Sequence, residues 1–484
     1  MTASLHIAAS FLTLLSISRE PASMSLMVSI SGIRGVVGSS LTPDVVVKYA
    51  SAFAEYCNRG TVILGRDGRV TGKSIGHLVS STLLQMGCDV KALGICPTPT
   101  VALAVEKLNA AGGISITGSH NPMQWNGLKF FAPTGLFLDE KQNKELWKIA
   151  DRTKQSYAAW DKQGKHQSIE SFLDAHVNMV LSLQYVKPQK IRSRKFKIVV
   201  DCINAAGGAV VPTLLKKLGC KVVEMNCDLS GVFAHTPEPI PENLTDLCKR
   251  VRKEKADLGI AVDPDVDRLV LIDEKGEPFG EEYTIASVVK FILGKETKKN
   301  IKSQIKKSLP KVVVNLSTTR AVDDIAKQFG AEVIRTPVGE INVAKKMKDI
   351  GAIIGGEGSG GVILPEAHLG RDALVGIALV LQYLADSGGS LSELKETLPQ
   401  YTIIKGKIDT GALNAATAFR MLQDRHGKNG SITLADGLKI DFPDSWVHLR
   451  KSNTEPIIRI IAEAPSARKA NELVNTFTHE ILLS

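Results

Sequence analysis

One short unit occurs three times in this chain, and it limits the possible folds more than any other feature. An apolar, β-branched run is followed by an amphipathic helical stretch, a Gly and a second strand-like run. The leading runs are Thr61-Val62-Ile63-Leu64, Lys197-Ile198-Val199-Val200 and Lys311-Val312-Val313-Val314. The glycines stand in Met86-Gly87-Cys88-Asp89-Val90, Leu218-Gly219-Cys220-Lys221-Val222 and Phe329-Gly330-Ala331-Glu332-Val333. Each Gly sits where a helix must end and a positive φ is needed before the next strand. Continuous apolar runs predict strands buried on both faces, hence mixed or parallel sheets covered by helices. At 484 residues the chain is too long for one simple core.

The expected fold class is therefore α/β: three tandem related domains with mixed sheets, then a C-terminal α+β domain, with a central cleft between them. The expected divisions are 27–167, 168–275, 276–399 and 400–484. The tail differs because its strand and helix signals follow another order, with a strand Tyr401–Ile408, a hairpin over Ser431–Phe442 and a final helix from Ser466. Residues 1–26 read as an N-terminal extension. Leu5 to Ile17 is apolar but too short to span a bilayer, and no Lys or Arg precedes it as in a signal peptide. A translation start at Met24 or Met27 is the favoured reading.

Composition narrows the partners. The net charge of +10 is partly local, in Lys295, Lys298, Lys299, Lys302, Lys306, Lys307 and Lys311. That cluster has no interleaved aromatics, so it reads as a solvated surface and not as a nucleic-acid site. The remaining excess suits anionic small molecules. Seven cysteines, an odd number without a CxxC pair, point to reduced thiols and a cytoplasmic location, with no disulfide framework or zinc site.

Four loops carry chemistry. In the first, the run Ile114-Ser115-Ile116-Thr117 ends in Gly118-Ser119-His120-Asn121-Pro122, and Ser119 is expected to be exposed on the loop. Taken alone, this is also what an ordinary strand-to-turn transition looks like. The second is Asp263-Pro264-Asp265-Val266-Asp267-Arg268, after an apolar strand. Three carboxylates at alternate positions can converge on one hard cation. The Gly and the terminal Glu of an EF-hand loop are missing, so Mg²⁺ with a phosphate as further ligand fits better than Ca²⁺. The third, Gly355 to Gly361, leaves Glu357 and Ser359 as the side chains with polar reach, a combination suited to sugar hydroxyls. The fourth is Arg450-Lys451-Ser452-Asn453-Thr454-Glu455-Pro456, with Arg459 beyond it, a phosphate cradle in its residue types.

Together the loops resemble those of the α-D-phosphohexomutases, one per domain and in the same order. Ser31-Gly32-Ile33-Arg34-Gly35 and Gly65-Arg66-Asp67-Gly68-Arg69 also look like family segments. The resemblance implies that Ser119 is a phosphoserine that shuttles the phosphoryl group. It implies Mg²⁺ on Ser119, Asp263, Asp265 and Asp267, with Arg268 beside them. Lys129 and Arg34 match catalytic positions, and Glu357 and Ser359 match a sugar-orienting pair. Arg450, Ser452, Asn453, Thr454 and Arg459 match the grip on the distal phosphate. It further implies a sugar 1,6-bisphosphate as intermediate and activator, and hexose phosphates as substrates. Three departures stand out: Gly118 where Ala is usual, Pro264 and Val266 in place of two glycines, and Gly361 where many members carry His or an aromatic. The third-domain segments Thr336-Pro337-Val338-Gly339-Glu340 and Gly370-Arg371-Asp372 look most like the archaeal-type phosphoglucosamine mutase branch.

Overall fold

The computed structural model describes residues 25–152, 156–303, 309–409, 414–451 and 457–483. The first sheet has seven strands: β1 (Met27–Ser29), β2 (Gly32–Val36), β3 (Val62–Arg66), β4 (Val90–Ile95), β5 (Gly112–Ile116), β6 (Trp125–Phe131) and β7 (His166–Ser168). Their order is β1-β2-β6-β5-β3-β4-β7. The second sheet holds β8 (Lys197–Asp201), β9 (Lys221–Met225), β10 (Leu258–Val262) and β11 (Leu269–Ile272), in the order β11-β10-β8-β9. The third holds β12 (Lys311–Asn315), β13 (Glu332–Thr336), β14 (Ile354–Glu357) and β15 (Gly361–Ile363), in the order β13-β12-β14-β15.

These orders are one pattern seen three times. In each unit the first strand pairs in parallel with the second and third, and the third pairs antiparallel with a fourth. The glycines expected to end the helices do so at positive φ: Gly87 at 90°, Gly219 at 78° and Gly330 at 61°. The turns between third and fourth strands are residues 117–124, 263–268 and 358–360. The three chemical loops of the first three units therefore occupy the same place in the topology.

The last sheet is antiparallel, as an α+β domain requires. It contains β16 (Thr402–Asp409), β17 (Ser431–Thr433), β18 (Leu438–Asp441), β19 (Trp446–Lys451) and β20 (Ile457–Ala464). Helices Ala415–His426 and Ala467–Leu482 cover it, sharing a core in which Leu422, Phe477 and Ile481 meet Ile440, Leu449 and Ile460.

The units pack closely. Helices Glu281–Ser303 and Ala373–Ser387 join the second and third sheets in one continuous apolar core. A buried polar chain links three parts of the molecule. Thr100 of the first unit meets His176 Nδ1 at 2.8 Å, His176 Nε2 meets Asp372 Oδ2 at 2.8 Å, and His368 Nε2 meets the same oxygen at 3.1 Å. Asp372 also caps the helix Ala373–Ser387, its Oδ1 accepting from Leu374 N at 2.8 Å. No helix among the described residues is long and apolar enough to cross a membrane.

Candidate active site

The backbone of the loop after β5 is gathered around one guanidinium. Arg69 is buried and donates from Nη1 to the carbonyls of Pro122 (2.7 Å) and Trp125 (2.9 Å). Its Nη2 donates to those of Ser119 and Asn121, both at 2.6 Å, and its Nε to Asp67 Oδ2 at 3.1 Å. Asp67 also accepts from the Thr117 hydroxyl (2.7 Å), which in turn accepts from Ser119 N (2.7 Å). These bonds hold Ser119 at φ +49°, a conformation that non-glycine residues seldom adopt. A Cβ on residue 118 would stand 2.9 Å from Arg69 Cζ, which gives Gly118 a packing reason here.

Ser119 is not exposed, contrary to the expectation from its turn. Its relative accessibility is 2%. The acidic loop and His120 close over it: Oγ lies 3.4 Å from Asp263 Oδ2 and 3.2 Å from His120 Nδ1. Tertiary packing across 144 residues of sequence decides this, and a local turn signal cannot carry it.

The three aspartates are buried and clustered. Asp263 Oδ1 accepts from the backbone N–H groups of Asp267 and Arg268, each at 3.1 Å. Asp265 Oδ2 accepts from the Thr98 hydroxyl and from Lys129 Nζ, both at 2.6 Å. Asp267 Oδ2 accepts from Lys129 Nζ (3.3 Å) and from Arg371 Nη2 (2.7 Å). Asp265 Oδ1 and Asp267 Oδ1 are buried without a partner. Such orphaned carboxylate oxygens are costly, and a hard divalent cation satisfies them together with the free face of Asp263. The donor set thus fits a metal ion. Val266 holds φ +61° between the aspartates, a strained conformation for a β-branched residue.

The electrostatics follow from this crowding. Burial, then the charges of Asp267 and Asp265, push the Asp263 carboxyl well above its usual range. Burial acts the same way on Asp265, but Lys129 and Thr98 outweigh it and hold that carboxyl below normal. Burial alone would lower Lys129, and the charges of Asp265 and Asp267 more than reverse it. The nearby Arg268 charge, then burial, hold the His120 imidazole well below its ordinary value, so it is neutral.

Arg34 on β2 donates to Asn121 Oδ1 at 3.2 Å, and its buried Nε has no partner. Arg268 makes only long ion pairs, 4.0 Å to Asp267 and 3.8 Å to Glu238, and its Nε is also buried and unpartnered. Both guanidiniums therefore keep donors for an anion. In the third loop Glu357 accepts from Asn315 Nδ2 (2.8 Å), Gly339 N (3.0 Å) and Arg371 Nη1 (2.7 Å). Ser359 is half-buried beside it.

In the last domain Arg450 and Arg459 are direct cross-strand partners on β19 and β20. Like charges opposite one another destabilise a sheet unless an anion lies between them. Arg450 Nε pairs with Asp436 at 2.9 Å, and Asp436 also accepts from Val338 N at 2.9 Å, beside the Gly339 amide that binds Glu357. Ser452, Asn453 and Thr454 lie outside the described residues.

Thr98, Arg69, His120, Glu340 and Arg371 were not singled out as site residues from the sequence. Adjacency in sequence does not by itself make an imidazole the serine's base, yet the loop folds His120 to within hydrogen-bond reach of Ser119 Oγ. Arg371 and Glu340 stand in segments noted for their resemblance, but nothing local marks Arg371 as a partner of the acidic loop or Glu340 as a partner of Arg371.

A multidomain α/β frame that gathers a buried serine, a three-aspartate loop and cationic side chains defines a phosphoryl-transfer enzyme class. Comparison gives the family. Residues 27–157, 172–276 and 288–401 match phosphoglucomutase/phosphomannomutase alpha/beta/alpha domains I, II and III, and 405–480 match the C-terminal domain of that family. The chain belongs to the phosphoglucomutase/phosphomannomutase family, which bears out the resemblance read from its loops. It is 36% identical over 449 residues to a protein named probable phosphoglucosamine mutase from Methanopyrus kandleri, covering 92% of this chain and 96% of the relative. It is 37% identical over 450 residues to a phosphoglucomutase/phosphomannomutase from Thermococcus kodakarensis, covering 91% and 95%. Among solved structures, a phosphoglucomutase/phosphomannomutase family protein from Burkholderia thailandensis superposes with a TM-score of 0.80 at 25% identity, covering 94% of this chain and 98% of that one.

Proposed function

We propose that this chain is a phosphohexomutase that interconverts hexose 6-phosphate and hexose 1-phosphate, with glucosamine phosphate as preferred substrate. The observation that carries this reading is the placement of Ser119 Oγ 3.4 Å from Asp263, on a loop clamped by Arg69 and facing three carboxylates with unsatisfied oxygens.

In the forward step a hydroxyl oxygen of the sugar monophosphate attacks the phosphorus of phospho-Ser119. The Oγ–P bond breaks, the hydroxyl proton leaves to a base, and a 1,6-bisphosphate forms. The bisphosphate turns in the cleft, and Ser119 takes back the other phosphoryl group. Asp263, Asp265, Asp267 and the Ser119 side chain would hold Mg²⁺, which when bound supplies Lewis-acid neutralisation of phosphoryl charge. Lys129, Arg34 and Arg268 contribute fixed positive charge around the transferring group, where positioning and electrostatics carry most of the catalysis. Glu357 and Ser359 orient sugar hydroxyls. Arg450 and Arg459, with Ser452, Asn453 and Thr454, hold the distal phosphate.

The domain divisions 27–167, 168–275, 276–399 and 400–484 belong to this reading, with the first boundary falling inside β7. So does a cytoplasmic location, supported by seven free cysteines, six of them buried. Ser119→Ala is expected to abolish most mutase turnover while sugar-phosphate binding persists. Intact mass should show one phosphoryl group on Ser119 after incubation with sugar 1,6-bisphosphate. Near-normal turnover of the alanine variant would sink the mechanism. The Thermococcus relative's name favours a second reading, phosphoglucomutase/phosphomannomutase. Turnover on glucosamine 6-phosphate, glucose 1-phosphate and mannose 1-phosphate separates the two.

A further inference from the structure

Arg371 makes three ion pairs, more than any other cation among the described residues of the cleft. Its three nitrogens go to three carboxylates from three segments. Nε donates to Glu340 Oε2 at 3.1 Å, Nη1 to Glu357 Oε2 at 2.7 Å and Nη2 to Asp267 Oδ2 at 2.7 Å. Its own backbone N–H donates to Glu340 Oε1 at 2.9 Å, so the main chain is fixed to the same carboxylate that holds the side chain. Glu357 and Asp267 are buried, which makes each contact a charge-assisted bond in a poorly solvated setting.

The route of the side chain is equally specific. A Cβ built on Gly361 would overlap Cδ of Arg371, in the middle of the stem and not at its mobile end. The backbone of Gly361 does not have a positive φ, so its conformation does not require glycine. What requires glycine is the arginine passing over it. Lysine could not replace the fork, because a single ammonium cannot bridge three carboxylates in one plane.

We propose that Arg371 is the positioning residue that locks the sugar-reading loop to the metal-binding loop, and that Gly361 leaves the space through which it does so. By engaging Asp267 Oδ2 it leaves Oδ1 turned to the cation site. By engaging Glu357 Oε2 it sets the carboxylate that reads the sugar. One guanidinium thus fixes the distance between the substrate's hydroxyl contacts and the phosphoryl-transfer centre. The inference rests on the roles given above to Asp267 and Glu357.

A mutant cycle tests it. Gly361→Ala should lower kcat/KM for the hexose phosphate by about 100-fold, the scale expected when reacting groups are misplaced by an ångström. In an Arg371→Ala background the same substitution should cost under about twofold, since nothing remains to be displaced. Arg371→Lys should recover less than about a tenth of the wild-type value. Mn²⁺ binding, followed by electron paramagnetic resonance, gives a readout independent of turnover. Removing or displacing the guanidinium takes a positive charge from beside Asp267, so Mn²⁺ should bind at least about threefold tighter in Gly361→Ala and in Arg371→Ala, and the double variant should bind it no tighter than Arg371→Ala alone. An equal cost of Gly361→Ala in both backgrounds, or unchanged Mn²⁺ affinity, overturns the proposal. If Arg371→Ala does not fold, the Mn²⁺ affinity of Gly361→Ala alone decides. Wild-type protein without turnover on any of the three sugar phosphates refutes the functional reading instead, and the Mn²⁺ cycle still judges Arg371.

Discussion

Glu282 offers a prediction whose size can be worked from the structure. Its side chain is 9% exposed at the start of the helix Glu281–Ser303, and its Oε2 accepts from Thr319 N at 3.0 Å. A Cβ at Gly358 would collide with that carboxyl, so Glu282 lies directly under the turn at 358–360. Burial, with the charges of Glu281 and Glu463 added and Lys405 and the Thr319 amide opposing, pushes its pKa up to about 8 from 4.5. A carboxyl with a raised folded pKa contributes its full stability below about pH 4.5, and loses it progressively as pH rises through about 8. At pH 7 the loss relative to pH 4.5 is roughly 3 kcal/mol, at about 1.4 kcal/mol per pH unit over the 2.5 units above the unfolded value.

Glu282→Gln keeps an acceptor for Thr319 and cannot ionise. Hydrogen exchange of the Thr319 amide measures the local opening that would expose the carboxyl. After correction for intrinsic rates, the Gln variant should gain about two decades of protection over wild type between pH 4.5 and pH 7. Comparing the two pH values cancels any fixed cost of the amide beneath Gly358. The same wild-type to variant ratio at both pH values would refute the reasoning, because it would mean that Glu282 is not neutral in the fold.

Other predictions follow from single contacts. Arg69→Met takes the shared guanidinium donor from four carbonyls of the Ser119 loop and the charge partner from the buried Asp67, and should cost about 3–5 kcal/mol in thermal unfolding, with loss of Ser119 phosphorylation; a shift under about 1 kcal/mol would contradict the clamp. His448 hydrogen-bonds Ser317 Oγ of the third domain at 2.8 Å and Asp436 O of its own domain at 2.7 Å. Burial holds its pKa down to about 4 from 6.5, so the stability it contributes above pH 6.5 is lost as pH falls towards 4. Going from pH 6.5 to 5 should therefore remove about 2 kcal/mol in wild type and little of that in His448→Gln, as read from denaturant midpoints of the last domain. Chelation should abolish turnover while leaving sugar-phosphate binding through Arg450 and Arg459 measurable by calorimetry, and Asp265→Asn should lose one bound Mn²⁺ per chain.

The fold was legible because its cues are local. Apolar runs such as Lys311–Val314, and glycines such as Gly87 that end helices, declare strands and caps from their immediate neighbours. Asp263, Asp265 and Asp267 were legible for the same reason, since three carboxylates on one turn have few purposes. Lys129 was legible only through family resemblance, because a lone lysine on an apolar strand has no signature of its own. Thr98, Arg69 and Arg371 reach their partners across the fold, Arg371 and Asp267 being 104 residues apart. No spacing rule connects such pairs. The burial of Ser119 failed to show for that reason too: the acidic loop that helps to cover it comes from another domain.

The shared topology of the first three units has a consequence for how such a site can change. Each active turn caps an antiparallel strand pair whose hydrogen bonds are complete without it. The turns can lengthen or be rewritten while the sheets below keep their register. In the proposed function the longest turn would carry the nucleophile, the middle one the cation ligands and the shortest a sugar contact. Labour is divided among copies of one scaffold, and each copy can be retuned separately. A new substrate would need a revised turn at 358–360 and a suitable partner for it, with the chemistry at 117–124 and 263–268 left intact.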